Sequence, residues 1–223
     1  MEMNNTDEEN EIWLDKNDIE NRHVYHRVKR IFDFVASLLG LIILSPLFLI
    51  LALCIKSENL HGPVFYSQIR LGVGGRPFKM YKFRSMIVDA DKKIKDLLDK
   101  NEIDGAMFKM KEDPRITKVG KFIRKYSLDE LPQLYNVLIG DMSLVGPRPP
   151  LTREVKEYTD YDQQRLFVQP GCTGLWQVSG RNALGFDEMV ELDLNYIEQS
   201  SVLFDIVILL KTVKIMIIPN DAY

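Results

Sequence analysis

Residues 31–55 read IFDFVASLLGLIILSPLFLILALCI, a 25-residue apolar run with a single charge, Asp33, near its start and Ser45-Pro46 near its middle. Its length suggests a membrane, since about 20 apolar residues cross a hydrocarbon core of roughly 30 Å. Pro46 argues against a straight crossing. It lacks a backbone N–H and crowds the carbonyl four residues earlier, so a helix kinks or breaks there. At about 1.5 Å per residue, the pieces 31–45 and 47–55 measure roughly 22 Å and 13 Å, and neither crosses alone. A kinked span and a hairpin that dips in and returns to the same face are both open, with a buried helix of a soluble protein as the third reading. The flanks favour the hairpin: Arg27, Lys29 and Arg30 precede the run and Lys56 follows it. Basic residues at both ends put both ends on the cytoplasmic side under the positive-inside tendency. A hairpin must satisfy the backbone groups freed at Ser45-Pro46, which the Ser45 hydroxyl or a neighbouring helix can do.

Ahead of this run lies an acidic tail. Residues 1–20 carry eight acidic side chains and one lysine, a charge of −7; the remaining 203 carry 24 acidic and 28 basic, or +4, which together give the net −3. A mildly basic body suits an anionic membrane surface or phosphate-bearing ligands. The bias is too weak for nucleic acid and no nucleic-acid motif is present, so no nucleic-acid partner is expected. The start of the tail reads as disordered, with Trp13-Leu14 as a short docking element. Cys54 and Cys172 form no disulfide framework, and a reducing compartment fits. The apolar run begins too late, and lacks the small-residue cleavage pattern, for a signal peptide.

Beyond the run, PVFYSQIRL (63–71) and PFKMYKF (77–83) alternate like strands and are joined by a glycine-rich turn, which reads as a β-hairpin. The spacing predicts a helix over 86–100. In RITKVGKFIRKYS, Arg115, Lys118, Lys121, Arg124 and Lys125 recur at helical spacing, either as a solvated face or as a basic face toward phosphates or headgroups. Leu131, Leu134, Tyr135 and Leu138 predict a helix starting near Pro132, a favoured first-turn residue. GDMSLVGPRPPL (140–151) and 168–182 read as loops by their Gly and Pro content; 152–168 and 186–200 read as helices. The apolar stretch 201–218 suits either an interfacial helix or a core helix.

Asp129-Glu130 stands just before the helix that begins near Pro132. At a helix start both carboxylates can reach one site, and free N–H groups there stabilise anions, which would keep Asp129 ionised as a nucleophile. Paired carboxylates also suit a hard divalent ion with phosphate co-ligands. The competing structural reading is a capping box from Ser127 to Glu130, weakened by Pro132 one turn on. Arg148, between Pro147 and Pro149, is a guanidinium in a stiff loop suited to gripping phosphate. The stretch 171–182 groups Thr173, Trp176, Gln177, Arg181 and Asn182, donors and an aromatic suited to a sugar or nucleotide. Each of these has an ordinary structural alternative: a surface arginine, a plain loop.

Taken together, the segments KRIFDF with LSP (29–34, 44–46), GPVFYSQIRLG (62–72), FKMYKFRSM (78–86), DPRITKVGKFIRKYSLDELPQLYNVLIGDMSLVGPRP (113–149), PGCTGLWQVSGRN (170–182) and ELDLNYI (191–197) resemble the monotopic phosphoglycosyl transferases of the bacterial sugar transferase family. The resemblance implies an α/β fold, predominantly helical with a small β-hairpin. It also implies a monotopic membrane protein: an acidic tail over 1–26, a re-entrant hairpin over 27–56 broken at Ser45-Pro46, and a catalytic domain over 57–223 ending in the apolar helix. It implies that Asp129 is the nucleophile and Glu130 its Mg²⁺-binding partner, both near the metal. Arg84, Arg124 and Arg148 match basic positions near the phosphates. Expected substrates are a UDP-sugar and undecaprenyl phosphate, at the inner leaflet of the bacterial cytoplasmic membrane. The chain resembles the catalytic module of longer members that add transmembrane helices at the N-terminus. The transferred sugar stays open, as does the oligomeric state, a homo-oligomer included.

Overall fold

A computed structural model describes residues 11–93, 110, 112–180 and 184–217. It opens with a strap. Ile12 and Leu14 pack onto the main core, the Trp13 ring meets Tyr161 edge-on at 5.4 Å, and Leu14 N–H donates to Gln164 Oε1 at 2.6 Å. The expected Trp13-Leu14 docking element is therefore present. Asp15 caps the short helix α1 (Lys16–Glu20) by accepting Asn17 N–H, and Ile19 is buried.

Helices α2 (His23–Ile43) and α3 (Ser45–Glu58) meet at Leu44 with a 59° bend. The break falls where Pro46 forbids continuation. Ser45 Oγ donates to Ile42 O at 2.8 Å, satisfying a carbonyl at the break as expected. No single helix among the described residues is long and apolar enough to cross a membrane; this bent pair is, taken together. Its polarity is inverted. Asp33 and Ser37, one turn apart, are buried, while Ile31, Phe32, Phe34, Val35, Leu38, Leu39, Ile42 and Ile43 face outward. Asp33 Oδ1 accepts the Leu144 N–H, which is why a charge survives in an apolar run.

Both arms are fastened to the same domain. On α2, Arg30 donates to Val137 O and Leu138 O at 2.6 and 2.8 Å and Lys29 pairs with Asp205 at 2.8 Å, and Arg22, just before the helix, donates to Ile197 O and Glu198 O. Three of the basic side chains around the start of α2 thus serve as joints, and Arg22 and Arg30 sit at helix C-termini, where cations are favoured. On α3, Leu51 and Ile55 are buried with Phe83 and Ile123, Phe48 meets the Phe83 ring at 5.0 Å, and Glu58 accepts Val119 N–H.

Strands β1 (Phe65–Leu71) and β2 (Pro77–Phe83) pair antiparallel from Phe65↔Phe83 to Leu71↔Pro77, joined through the expected glycine turn. The helix expected over 86–100 starts late: Met86 bridges to Ile116 and residues 87–89 are not helical, so α4 covers Ala90–Lys93, and 94–100 lie outside the described residues. Thr117 caps α5 (Lys118–Lys125) by accepting Gly120 N–H. Arg115 departs from the basic-face reading: it is buried in a two-pronged pair with Asp113, Nη2 to Oδ2 at 2.6 Å. Helix α6 (Gln133–Ile139) begins after Pro132 as expected. It ends at Gly140 with φ 93°, the left-handed turn that glycine takes without a Cβ penalty.

Two expected loops contain strands. β3 (Ser143–Val145) and β4 (Gly171–Thr173) pair in parallel, with α7 (Thr152–Val155) and α8 (Asp160–Gln163) between them. The single helix expected over 152–168 is thus broken into pieces, where Thr159 opens α8 with a capping box to Asp162. Helices α9 (Leu175–Ser179), α10 (Phe186–Gln199) and α11 (Val202–Ile217) complete the domain. α11 buries Asp205 and Ile208 against the domain and exposes Leu203, Leu210 and Ile217.

The β3–β4 contact depends on glycine. A Cβ on Gly171 would lie 2.1 Å from Gly146 N and 2.4 Å from Thr173 O, both backbone atoms. Gly171→Ala is expected to cost about 3 kcal/mol through overpacking, which is a fall of roughly 6–12 °C in unfolding midpoint for a chain of this size. Thermal unfolding in detergent measures it.

Candidate active site

The Asp129-Glu130 pair is presented by a tight turn. α5 ends at Tyr126, Ser127 adopts φ 54°, ψ 22°, and Leu128–Glu130 form a 3₁₀ turn leading to Pro132 and α6. Ser127 makes no side-chain capping bond, so the capping-box reading is not realised. A left-handed serine costs on the order of 1 kcal/mol; it reverses the chain so that the dyad turns back over β2. The amides expected to be free for anions are largely taken: Glu130, Leu131, Leu134 and Tyr135 N–H donate to Ser127, Leu128, Leu131 and Pro132 carbonyls. Side-chain cations must therefore supply the charge complementarity.

The turn is clamped from both sides. Leu128 and Leu131 pack into the cluster of Leu51, Ile55, Phe83 and Ile123, so the inner face of the bent helix pair supports the dyad directly. On the other side Asn136, fully buried, accepts Tyr81 N–H at 3.0 Å and donates to Lys79 O at 2.7 Å. A side chain of α6 thereby acts as a strand partner for β2 and sets the dyad's position relative to that strand.

Lys82 of β2 is the result. Its Nζ lies 2.6 Å from Glu130 Oε1. Asp129 is 7% exposed and Glu130 much more open. Burial pushes the Asp129 carboxyl up to about 6, Glu130 adds to this, and Lys82 and Arg124 pull against it. Burial opposes ionisation of Glu130 too, but Lys82, Arg148 and Arg70 overcome it and hold that carboxyl below the usual range. Two neighbouring carboxylates are driven apart: one fixed as an anion, the other a more basic carboxylate than an ordinary aspartate.

The remaining candidates divide. Arg124 Nε donates to Ser85 Oγ at 3.1 Å and acts on Asp129; Arg148 acts on Glu130. Arg84 donates to Pro63 O, lies over the Tyr66 ring and lines a cleft with Ile55, Met86 and Val88. Thr173 faces away: its hydroxyl meets Thr212 of α11 at 2.8 Å, and the neighbouring Cys172 is the residue electrostatically coupled to Glu130. That follows from strand alternation. Gln177 folds back over Gly174 on α9. Arg181 and Asn182 lie outside the described residues.

Sequence reading passed over Lys82, Arg70 and Glu154, which surround Glu130 and Arg148. For Lys82 a signal existed: β2 alternation puts it on the same face as Arg84, two residues on. No cluster of three His, Cys, Asp or Glu side chains that could hold a metal occurs among the described residues. Mg²⁺ needs only one or two carboxylates when substrate phosphates and water complete its shell. Asp129 and Glu130 fit that demand, because Glu130 already accepts a cation at 2.6 Å and its charge raises the cost of ionising Asp129, a cost that a divalent cation beside the pair would relieve.

Residues 24–219 match the family model described as Bacterial sugar transferase. The chain is 50% identical over 195 residues to the Galactosyl transferase CpsE of Streptococcus agalactiae, covering 87% of this chain and 43% of that one. It is 48% identical over 200 residues to the Undecaprenyl-phosphate galactose phosphotransferase of Salmonella typhimurium, covering 88% and 42%. The Exopolysaccharide production protein ExoY of Sinorhizobium fredii is 40% identical over 199 residues, covering 87% and 88%. The chain thus spans less than half the length of the first two relatives and most of the third.

Proposed function

We propose a reaction from one premise: the chain belongs to the bacterial sugar transferase family. It transfers a sugar-1-phosphate from a UDP-sugar to undecaprenyl phosphate, an early membrane step of polysaccharide assembly, with Asp129 carrying the phosphosugar in between. The observation that carries this reading is the asymmetric dyad. Asp129 is buried and raised to about 6, beside a Glu130 held as an anion by Lys82. A carboxylate of that basicity is ionised at neutral pH and a better nucleophile than an ordinary aspartate.

In the first displacement an Asp129 oxygen attacks the sugar-bearing phosphorus, and the bond to the bridging oxygen breaks. UMP leaves with that oxygen. In the second, an oxygen of the lipid phosphate attacks the same phosphorus, the bond to Asp129 breaks, and the carboxylate is restored. Splitting the transfer avoids bringing two anionic substrates together at once. Lys82, Arg124 and Arg148 lie around the turn where charge develops on phosphoryl oxygens. Asp129 and Glu130 would hold Mg²⁺, which when bound neutralises phosphate charge.

The bent helix pair supports the membrane half of the reading. Both arms are bonded to one domain, through Arg30 on α2 and Glu58 on α3. An apolar wedge whose two ends share one globular body dips into a leaflet and returns, with the domain on the cytoplasmic face where UDP-sugars are. Since Leu51 and Ile55 of the wedge pack beside Leu128 and Leu131, the dyad is held near headgroup depth, where the lipid phosphate sits.

UMP release from UDP-galactose and UDP-glucose, with and without undecaprenyl phosphate in detergent, tests the reaction. Sustained release that requires the lipid is expected, and continuous release without it contradicts the reading. The rate should also fall about tenfold per pH unit below about 6 as Asp129 takes a proton; a flat profile from pH 7 to 5 contradicts the assignment.

A further inference from the structure

Beside the dyad, β1 and the loop at 146–150 bring two guanidinium groups against one carboxylate. Glu154 of α7 is 2% exposed. Its Oε2 accepts Leu151 N–H at 2.7 Å and Arg148 Nη1 at 3.2 Å, and Arg70 Nη1 stands 4.0 Å away. Arg70 is anchored further, donating to Pro149 O and to Gln68 Oε1, each at 2.9 Å. The Arg70 side chain is 9% exposed and that of Arg148 28%. The two cations repel: burial, then Arg148, pushes the Arg70 guanidinium down to about 10, and Glu154 works the other way. Both cations also act on Glu130.

The consequence is mechanical. Without the Glu154 charge, two like charges face each other with Arg70 locked by its own acceptors, so Arg148 is the group that swings away. We propose that Glu154 is a positioning residue for the transfer: it holds Arg148 aimed at the phosphate-bearing side of the Asp129-Glu130 turn. It acts through Arg148 and touches no reacting atom. The proposal rests on the reaction given above.

Glu154 has a second contact, the Leu151 N–H at the start of α7, and the two roles separate cleanly. Glu154→Gln keeps an acceptor for that N–H and removes the charge. Leu151→Pro removes the N–H at a residue whose φ of −76° a proline adopts, and leaves the ion pair. The measurement is kcat/KM for UMP release by the full chain in detergent, with undecaprenyl phosphate and whichever of UDP-galactose and UDP-glucose is turned over. Glu154→Gln is expected to lose between about tenfold and a hundredfold, the range a misplaced group produces. The double variant with Arg148→Ala should be no slower than Arg148→Ala alone, and Leu151→Pro should stay near the parent. Glu154→Asp, which keeps the charge on a shorter arm, runs the same cycle should the glutamine variant fail to fold. The proposal is overturned if the losses multiply, if Glu154→Gln keeps the parental kcat/KM, or if Leu151→Pro costs as much. UMP release that survives Asp129→Asn refutes the reaction itself; release that needs Asp129 but shows multiplying losses refutes only the role of Glu154.

Discussion

Asp129→Asn is expected to abolish transfer and to make the protein more stable. The loss follows from chemistry: an amide cannot carry a phosphosugar ester through two displacements, and removing a nucleophile costs at least about 10⁴-fold in turnover. The gain follows from burial. An Asp129 carboxyl raised to about 6 from an ordinary 3.8 is an anion the fold is strained to hold at neutral pH. Each pH unit is worth about 1.4 kcal/mol, so the penalty relieved by asparagine is on the order of 2–3 kcal/mol. That figure is already net of the pull of Lys82 and Arg124 on the carboxylate. The unfolding midpoint should therefore rise by roughly 4–12 °C. The sign has a pH signature. The native state binds this proton more tightly than the unfolded chain, so the penalty is full above about 6 and fades as pH falls toward 3.8. The stability difference between parent and variant should shrink over that window. A variant that is inactive and less stable at pH 7 would mean that Asp129 is an ordinary structural carboxylate.

Lys82→Met should behave oppositely. Its pair with Glu130 is partly solvated, with side chains 25% and 41% exposed, and such pairs contribute under about 1 kcal/mol. The unfolding midpoint should move little. The rate should not be spared, since removing one cation aimed at developing phosphoryl charge costs about 10²–10³-fold. Lys82 also pulls the Asp129 carboxyl down, so its loss raises that carboxyl further. The acid limb of the rate profile should shift to higher pH, and part of the lost rate should return when the assay is made more alkaline. A pH profile unchanged in shape would contradict the electrostatic role; a large stability loss would assign Lys82 to the fold.

Opposite outcomes for neighbouring charges are what local sequence could not foretell. Asp129-Glu130 stood out because two carboxylates at a helix start can reach one site, with the family resemblance deciding against a capping box, and the break at Pro46 because proline has one backbone consequence. β1, β2, α6 and α10 were legible because their periodicities run for two turns or several alternations. β3 and β4 were not. Each has three residues, and their pairing spans 28 positions, Ser143 to Gly171. Their Gly and Pro residues signal turns locally while serving a close backbone approach in the fold. A buried cation also reads like a solvated one. Arg115 joined the apparent basic face, yet it is sealed against Asp113; Lys29 and Arg30 read as membrane flanks, yet they bolt α2 to Asp205 and to the end of α6. The helix-start argument for Asp129 holds only in part: Asp129's own N–H favours its carboxylate, while the 3₁₀ turn consumes the amides of Glu130 and Leu131. Most of the stabilising charge comes from Lys82, 48 positions away from Glu130, which pairs with Glu130 and also pulls the Asp129 carboxyl down.

Intact-mass spectrometry tests the account at its centre. The protein, held in detergent with UDP-galactose or UDP-glucose and no lipid acceptor, should gain the mass of one phosphohexose and release about one equivalent of UMP per chain. Undecaprenyl phosphate should then strip the added mass, and the Asp129→Asn protein should never acquire it. UMP formed only when both substrates are present, with no adduct at any time, would contradict a covalent carrier. An adduct that persists in the Asp129→Asn protein would contradict its assignment to Asp129.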